Sequence, residues 1–400
     1  MKRVLIFSLA YYPRFVGGAE VAIKEITDRI APDDIEFHLV TLRFDKALPR
    51  YERLGHVHVH RIGLATRDPS MIDLRSVPHR INKIWFQVGA AFTALSLHRK
   101  HGFDAAWAMM AHSAGIPATL FTMMTCVPYV LTLQEGDPPE NIERQMRVFG
   151  PLFRRAFTHA SVVQVISNFL GAWARRMGFE GPLEVIPNGV DLERFARDYA
   201  VSDLTALKKN LGKKKDTTLL MTTSRLVHKN GLDDVIRALT YLPESVSFAI
   251  LGIGPDDQML RELARELGVG KRVLFLGHVD HCDLPKYLKC ADIFIRPSRS
   301  EGMGNSFIEA FAAGIPVIAT QEGGIADFLF DPERNPERPP TGFAVDVDSP
   351  DQIAEAVQRL QSDQKRTNEI VENARALALA HYDWSAIALA MRTRIFTMVL

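Results

Sequence analysis

The sequence predicts an α/β protein made of two doubly wound, parallel-sheet domains. Three observations carry this. Apolar runs of four to seven residues, rich in Val, Ile, Leu and Phe, alternate with amphipathic stretches along the whole chain. Strands apolar on both faces belong to parallel sheets covered by helices. The runs form two series with a turn-rich, polar break between them, and 400 residues exceed the roughly 150 of an ordinary domain.

The first series places strands at 4–9, 36–41, 57–62, 105–108, 129–133, 162–166 and 183–187. The opening MKRVLIFSLA has the charge and apolar run of a short signal peptide. It is followed by Tyr11, Tyr12, Pro13 and Arg14 rather than a small-residue cleavage site, so it reads as a buried first strand. The break lies between Pro187 and Lys215, where Pro187-Asn188-Gly189 signals a turn and KKNLGKKKD reads as a solvated hinge or helix end. The second series places strands at 219–224, 247–251, 273–277, 293–297, 316–319 and 342–345, the last preceded by a Pro-rich surface loop at 331–342. Ligands of such sheets bind outside the carboxyl ends of the strands. Two facing domains would enclose a cleft.

Composition narrows the class. Apolar residues are 47% and charged residues 24%, the balance of a globular chain, which excludes disorder over most of the length. A formal charge of +1 excludes a protein built around a nucleic-acid footprint. Cys126, Cys282 and Cys290 form no CxxC pair, which points to a reducing, cytoplasmic compartment. The longest apolar stretch, near 86–97, is too short for the roughly 20 residues of a membrane span. Charge is uneven, +4 over residues 1–200 and −3 over 201–400. In the first half basic residues sit beside aromatics: Arg75, Arg80, Lys83, Trp85 and Phe86; Arg144, Arg147, Phe149, Phe153, Arg154 and Arg155; Trp173, Arg175 and Arg176. Such stretches are either ordinary solvated helix faces or a peripheral contact with anionic lipid at the inner face of the plasma membrane.

The strongest motif is SRSEGMGNSFIEAFAAGIPVIAT, Ser298 to Thr320, directly after the strand at 293–297. Glu301, Gly302, Met303, Gly304 and Asn305 form a small turn-prone loop, and Asn305 or Ser306 is expected to cap a helix that contains Glu309. Exposed N–H groups at a helix start bind phosphate, whereas a carboxylate suits sugar hydroxyls.

Glu301 and Glu309, separated by seven residues, resemble the paired glutamates of retaining GT-B glycosyltransferases, in particular glycosyltransferase family 4 (glycosyl transferases group 1). Other segments resemble the family in the same order: PRFVGGAE (13–20) its early glycine loop, VIPNGVDLERF (185–195) its interdomain segment, SRLVHKNGLDDVIRAL (224–239) its Arg–Lys phosphate motif, LGIGP (251–255) and FLGHV (275–279) its next strand ends. The resemblance covers nearly the whole chain. It implies a GT-B fold, with an acceptor-side domain at 1–190, a nucleotide-sugar domain at 191–383 and a final helix near 384–400 crossing back. It implies that Gly254, His278 and Val279 lie along the nucleotide, that Glu309 takes ribose hydroxyls and Glu301 hexose hydroxyls, and that Gly302 and the backbone of Met303, Gly304, Asn305, Ser306 and Phe307 line the donor. Asn188 belongs to the same binding set.

Arg225 and Lys229 follow a strand end, four residues apart, where two fixed cations would stabilise a departing diphosphate. They would replace a divalent metal, and no metal or other cofactor is expected. Gly17 and Gly18 precede a helix expected near Glu20, and their N–H groups could meet the same diphosphate. After the strand at 129–133 the chain reads LTLQEGDPPE, with Gln134 where many relatives carry a histidine. Gln134 cannot act as an acid or base, but it can hydrogen-bond a sugar. Glu135 or Asp137 would position the acceptor hydroxyl, and His112 is the nearest alternative histidine. Two further clusters are metal-capable. HVHVH, with His56, His58 and His60, reads as a half-exposed strand face, and His278, His281 and Cys282 lack a fourth ligand.

The reading is a retaining, metal-independent hexosyltransferase. It moves a hexose from a UDP-sugar or GDP-mannose-type donor to a glycan or lipid-linked acceptor, in bacterial surface-polysaccharide or glycolipid assembly. The alternatives are a GT-B sugar-nucleotide 2-epimerase and a catalytically silent sugar-nucleotide-binding partner. A nicotinamide oxidoreductase is disfavoured because no full G-x-G-x-x-G follows a strand.

Overall fold

A computed structural model describes residues 1–14, 16–67 and 76–400, without the side chain of Pro78; Arg75 lies outside the described residues. The chain forms two compact units, Met1–Asn188 with Trp384–Leu400, and Gly189–Asp383.

The first unit carries β1 (Lys2–Phe7), β2 (Ile35–Leu42), β3 (Tyr51–Leu54), β4 (Val57–Ile62), β5 (Ala105–Met109), β6 (Tyr129–Leu133), β7 (Val162–Val165) and β8 (Leu183–Val185), in the order β3-β4-β2-β1-β5-β6-β7-β8. Pairing is parallel except between β3 and β4. The opening MKRVLIF run is the central strand β1, which explains why it is apolar on both faces. The antiparallel edge strand β3 was not expected. Its YERL sequence is alternately exposed and half-buried and has no apolar face to reveal it.

The helix Gly18–Asp28 buries Ala19, Ala22, Ile23 and Ile26 at the three-to-four-residue spacing of one face, against the β1 side of the sheet. The end of the chain returns to this unit as the helix Trp384–Ala390, a π-helical turn Met391–Ile395 and a 3-10 turn Phe396–Met398, so one regular helix to Thr397 is not formed. Trp384, Ile387, Met391, Ile395 and Phe396 join the core, with Phe396 edge-on to Trp107 at 5.3 Å. Arg392 donates to both oxygens of Asp34 at 2.5 and 2.8 Å.

The second unit carries β9 (Thr218–Thr223), β10 (Val246–Leu251), β11 (Val273–Gly277), β12 (Ile293–Arg296), β13 (Val317–Ala319) and β14 (Phe343–Ala344), all parallel, in the order β11-β10-β9-β12-β13-β14. The lysine run ends the helix Val201–Asn210, and Lys213 pairs with Asp292. The strand order reverses at β1/β5 in one sheet and at β9/β12 in the other. At such switch points the flanking loops diverge and leave a crevice. Among the described residues no helix is long and apolar enough to cross a membrane.

The basic–aromatic stretches divide. Phe153 and Trp173 are buried and cluster with Phe157, at 5.5 Å for Phe153–Phe157 and 5.1 Å for Phe157–Trp173. Arg175 caps the carbonyls of Phe179 and Gly181, and Arg176 pairs with Glu140. Phe153 and Trp173 therefore turn inward, while Phe149 is half-buried and Arg144, Arg147, Arg154 and Arg155 stay exposed. Along the helix Val77–His101, Phe86 is buried but Trp85 is exposed.

Candidate functional site

The loops after β9 and β12 flank the switch point of the second sheet. Thr222, Thr223 and Ser224 at the end of β9, and Arg296 and Ser298 at the end of β12, each carry a buried polar atom with no partner among the described residues: Oγ1, Oγ1, Oγ, Nε and Oγ respectively. A buried polar atom without a partner costs about 1–3 kcal/mol. All five belong to the carboxyl ends of the two strands that flank the switch point, where an unsatisfied polar group calls for an explanation.

Glu301 lies in the loop that follows β12 and is bonded to one of these residues, Arg296. Arg296 donates from Nη2 to Glu301 Oε2 at 2.8 Å and from Nη1 to Ser306 Oγ at 2.9 Å. The other carboxylate oxygen, Oε1, accepts from the Gly302 N–H at 3.0 Å. The Arg296 guanidinium lies 4.3 Å from the Phe307 ring centroid. Burial lowers its pKa, while Glu301 and Glu309 favour its charge. Gly304 has φ 85°, and a Cβ there would lie 2.6 Å from Arg296 Nη2 and 2.7 Å from the Phe307 ring. Only glycine lets the arginine pass under this turn.

The helix that follows is Asn305–Ala313, capped by Gly304 with no side-chain bond. The expected cap by Asn305 or Ser306 is not formed, because the Ser306 hydroxyl accepts from Arg296 instead. The Phe307 N–H is bonded to Gly304 O and the Gly302 N–H to Glu301, which takes these two loop donors into bonds within the protein. Met303 and Phe307 themselves bury their side chains. Glu309 is nearly buried and its Oε1 lies 2.9 Å from His281 Nε2. That histidine is the carboxylate's partner rather than part of a metal set with Cys282.

Arg225 is exposed after β9, and Lys229 lies in the 3-10 turn His228–Asn230. Arg299 braces this turn from the β12 loop: its N–H donates to Lys229 O and its Nη1 to His228 O, both at 2.7 Å. Arg299 also pairs with Asp233, Asp234 and Asp348 at 2.7–2.8 Å. Burial opposes its charge, but these carboxylates outweigh burial and hold its pKa above the ordinary value. Asp234 is pushed up to about 6, by burial first and Asp233 second, against the pull of Arg299. Gly254 lies where a Cβ would meet Leu226 O at 2.2 Å, so its bare α-carbon lets the β9 and β10 loops touch. His278 is exposed and lies 3.4 Å from Asp280, and Val279 is half-buried beside it.

In the first unit the helix begins at Gly18, two residues earlier than expected, with Gly17 as its cap. The Gly17 N–H donates to Glu20 Oε2 at 2.7 Å, so this N–H is already taken by a side chain of the same helix. Burial raises the Glu20 pKa. Gln134 and Asn188, both buried, exchange two reciprocal amide bonds of 3.1 Å. A Cβ on Gly18 would lie 3.9 Å from Asn188 Nδ2, which brings three of the candidate residues together. Glu135 is not available to an acceptor hydroxyl. Its carboxylate takes the N–H groups of Ala111 at 2.6 Å and Gln134 at 2.9 Å, with His112 Nδ1 at 3.4 Å. Asp137 is exposed. Met110, at the end of β5, has φ 69°, a strained conformation for a side-chain-bearing residue.

Sequence reasoning missed Arg296 and Arg299. Arg296 ends the run IFIR, and a charge at the end of a buried strand was the available signal. Arg299 had no local signal, since its acidic partners are 49 to 66 residues away.

Residues 16–194 match the family model described as Glycosyltransferase Family 4, and residues 203–377 the model described as Glycosyl transferases group 1. A GDP-mannose-dependent alpha-(1-6)-phosphatidylinositol monomannoside mannosyltransferase of Mycobacterium tuberculosis is 26% identical over 421 residues, covering 97% of this chain and 96% of the other. Sucrose-phosphate synthase from Thermosynechococcus elongatus superposes with a TM-score of 0.81 at 21% identity, over 100% of this chain and 99% of the other. Anabaena HepE in complex with UDP-glucose superposes with a TM-score of 0.77 at 21% identity, over 99% and 100%.

Proposed function

This chain belongs to the family 4 glycosyltransferases and has their GT-B fold, and from that premise we propose that it is a retaining, metal-independent hexosyltransferase using a nucleotide-diphosphate sugar. The observation that carries the reading is the Glu301 carboxylate, fixed by buried Arg296 among unpartnered polar atoms at the β9/β12 switch point.

The donor diphosphate lies on Arg225 and Lys229 and on the N–H groups of residues 303–306. The ribose meets Glu309 and the hexose meets Glu301. As the bond from the anomeric carbon to the phosphate oxygen breaks, negative charge grows on the leaving oxygen, and the two cations stabilise it in place of a metal. The acceptor hydroxyl attacks the same face, and the leaving phosphate takes its proton. Both carboxylate oxygens of Glu301 are already engaged, by Arg296 and Gly302. That favours an orienting, charge-stabilising role over nucleophilic attack. Gln134, paired with Asn188, offers hydrogen bonds but no proton transfer. The donor is of the UDP-sugar or GDP-mannose type, in line with the UDP-glucose complex of HepE and the GDP-mannose dependence of the mycobacterial enzyme.

The acceptor is a glycan or lipid-linked molecule of bacterial surface-polysaccharide or glycolipid assembly. Val77, Ile81, Ile84, Trp85, Val88 and Phe92 form an exposed stripe, 46 to 67% exposed, on the helix Val77–His101. Arg80, Arg99 and Lys100 on the same helix are exposed. This pairing of apolar and cationic surface fits an anionic lipid headgroup layer.

The test is turnover of UDP- and GDP-sugars with Glu301→Ala beside the wild type. Loss of about 10²-fold or more is expected, the scale of removing one transition-state contact. An unchanged rate in the folded variant overturns the site. Salt-sensitive flotation with anionic vesicles, abolished by Trp85→Glu, tests the membrane contact.

A further inference from the structure

The first sheet carries a histidine cluster that the transfer chemistry does not use. In the parallel pair β2–β4, His38 stands opposite His58 and Val40 opposite His60. Residues two apart on a strand share a face, so Glu36, His38, His58 and His60 all project to one side. His101, the last residue of the helix Val77–His101, packs against them with its ring 4.6 Å from His38. The ligand-capable atoms of Glu36, His38 and His58 lie within 4.8 Å of one another.

We propose that Glu36, His38 and His58 form a zinc-binding site that clamps β2 to β4. Imidazole nitrogens with one carboxylate oxygen suit Zn²⁺ among the common divalent ions. Bonds of about 2.0–2.1 Å to a tetrahedral ion set ligand atoms about 3.3 Å apart. His38 Nε2 and Glu36 Oε1 are already 2.8 Å apart. His58 closes the set by tilting. Its ring stacks on His38 at 4.8 Å and 21°, and it is only half-buried. Three protein ligands leave the fourth position to water.

The second atoms of these groups supply an independent argument. Ligating histidines hold their other ring nitrogen in a hydrogen bond, which sets tautomer and orientation. His38 Nδ1 lies 3.0 Å from His60 Nε2, and His58 Nδ1 lies 2.9 Å from the Tyr51 hydroxyl. Arg3 Nε donates to Glu36 Oε2 at 3.3 Å, leaving Oε1 for the ion. Without metal, His38 Nε2–H donates to Glu36 and His60 donates to His38 Nδ1. With metal, the His38 proton sits on Nδ1 and donates to His60, whose own proton moves to its other nitrogen. The ion therefore enters by a tautomer shift, with no change in proton count. Arg3 and Lys100 add positive charge nearby and limit affinity, which Glu36 offsets. None of the ligands belongs to the donor-site residues, so the clamp holds independently of how transfer proceeds.

The experiment uses full-length, untagged, chelator-treated protein titrated with Zn²⁺ alone, with bound metal measured by elemental analysis and calorimetry. Cobalt absorbance serves as a second readout of ligand geometry. One equivalent is expected, with a rise in melting temperature, and binding at least about tenfold weaker in Glu36→Gln and His58→Asn. Both variants keep the fold to be judged by metal-free circular dichroism, since one is isosteric and the other lies at a half-exposed position. Cys282→Ser should leave binding unchanged. The proposal is overturned if folded wild type takes up no stoichiometric zinc, or if binding is indifferent to Glu36→Gln and His58→Asn, or if it is lost in Cys282→Ser.

Discussion

Replacing Arg296 by Met tests whether Glu301 works because a buried cation holds it. The Arg296 side chain is 7% exposed and that of Glu301 14%. The pair shares a 2.8 Å charged hydrogen bond, and the guanidinium also holds Ser306 at 2.9 Å. A hydrogen bond to a charged group contributes about 1.5–3 kcal/mol, and stripping one partner from a buried pair costs about 3–5 kcal/mol. Arg296→Met therefore leaves Glu301 misplaced and short of a counter-charge, and kcat should fall by about 10²–10³-fold. If the arginine acts only through Glu301, the double variant with Glu301→Gln loses no more than either single variant. A kcat/KM cycle with the preferred donor then gives a coupling of about 2.7–4 kcal/mol. Arg296→Lys keeps the charge but cannot span Glu301 and Ser306 with one planar fork, so it should recover only part of the rate. Additive losses, in variants shown to be folded by thermal unfolding, would refute the positioning role and leave Arg296 as a packing residue.

Gly304→Ala should destabilise the chain by about 1–3 kcal/mol, from its φ of 85° and the 2.6 Å approach to Arg296, read as a lower thermal midpoint together with reduced kcat. Asp234 binds its proton more tightly folded, at about 6, than unfolded, at 3.8. Its contribution to stability is complete below pH 3.8 and is lost as pH rises through about 6. Unfolding free energies of wild type and Asp234→Asn from urea titration should then move apart by about 2–2.5 kcal/mol between pH 7.5 and 4, in favour of the wild type at acid pH; parallel curves would exclude the shift. Gln134→Ala and Asn188→Ala should each cost about 1–3 kcal/mol, and the double variant less than their sum, because each single change strands one buried amide. Gln134→His should also lower the thermal midpoint by breaking both 3.1 Å bonds.

What the sequence made legible, and what it did not, follows from how far apart the cooperating residues are. Thirteen of the strands were readable, most of them because they are short and apolar on both faces and β4 by its apolar–polar alternation, whereas β3 is a polar edge whose only cue is its partner. Glu301 and Glu309 were readable because a loop and one helix turn suffice to present both. The groups that fix them were not. Arg296 needs Glu301 and Ser306 folded back over it by the Gly304 turn. Arg299 needs Asp233 and Asp234 brought across from the helix after β9, at the same switch point. His58 and His60 stood out within HVHVH, but their neighbour His38 and the carboxylate of Glu36 come from β2, and only the register of β2 against β4 joins them. His56, counted with them by spacing, turns instead to the carbonyls of Thr27 and Ile30. Ligand-facing groups emerge from a single strand end, so a short motif can encode them. Arg296 shares the end of β12 with Glu301 and needs only the loop to fold back over it, whereas Arg299 with Lys229, and Gln134 with Asn188, are joined from different strand ends, and that pairing is a property of the fold. A variant that keeps every motif residue but breaks the β9–β12 support should therefore retain the sequence signature of a transferase while losing its rate.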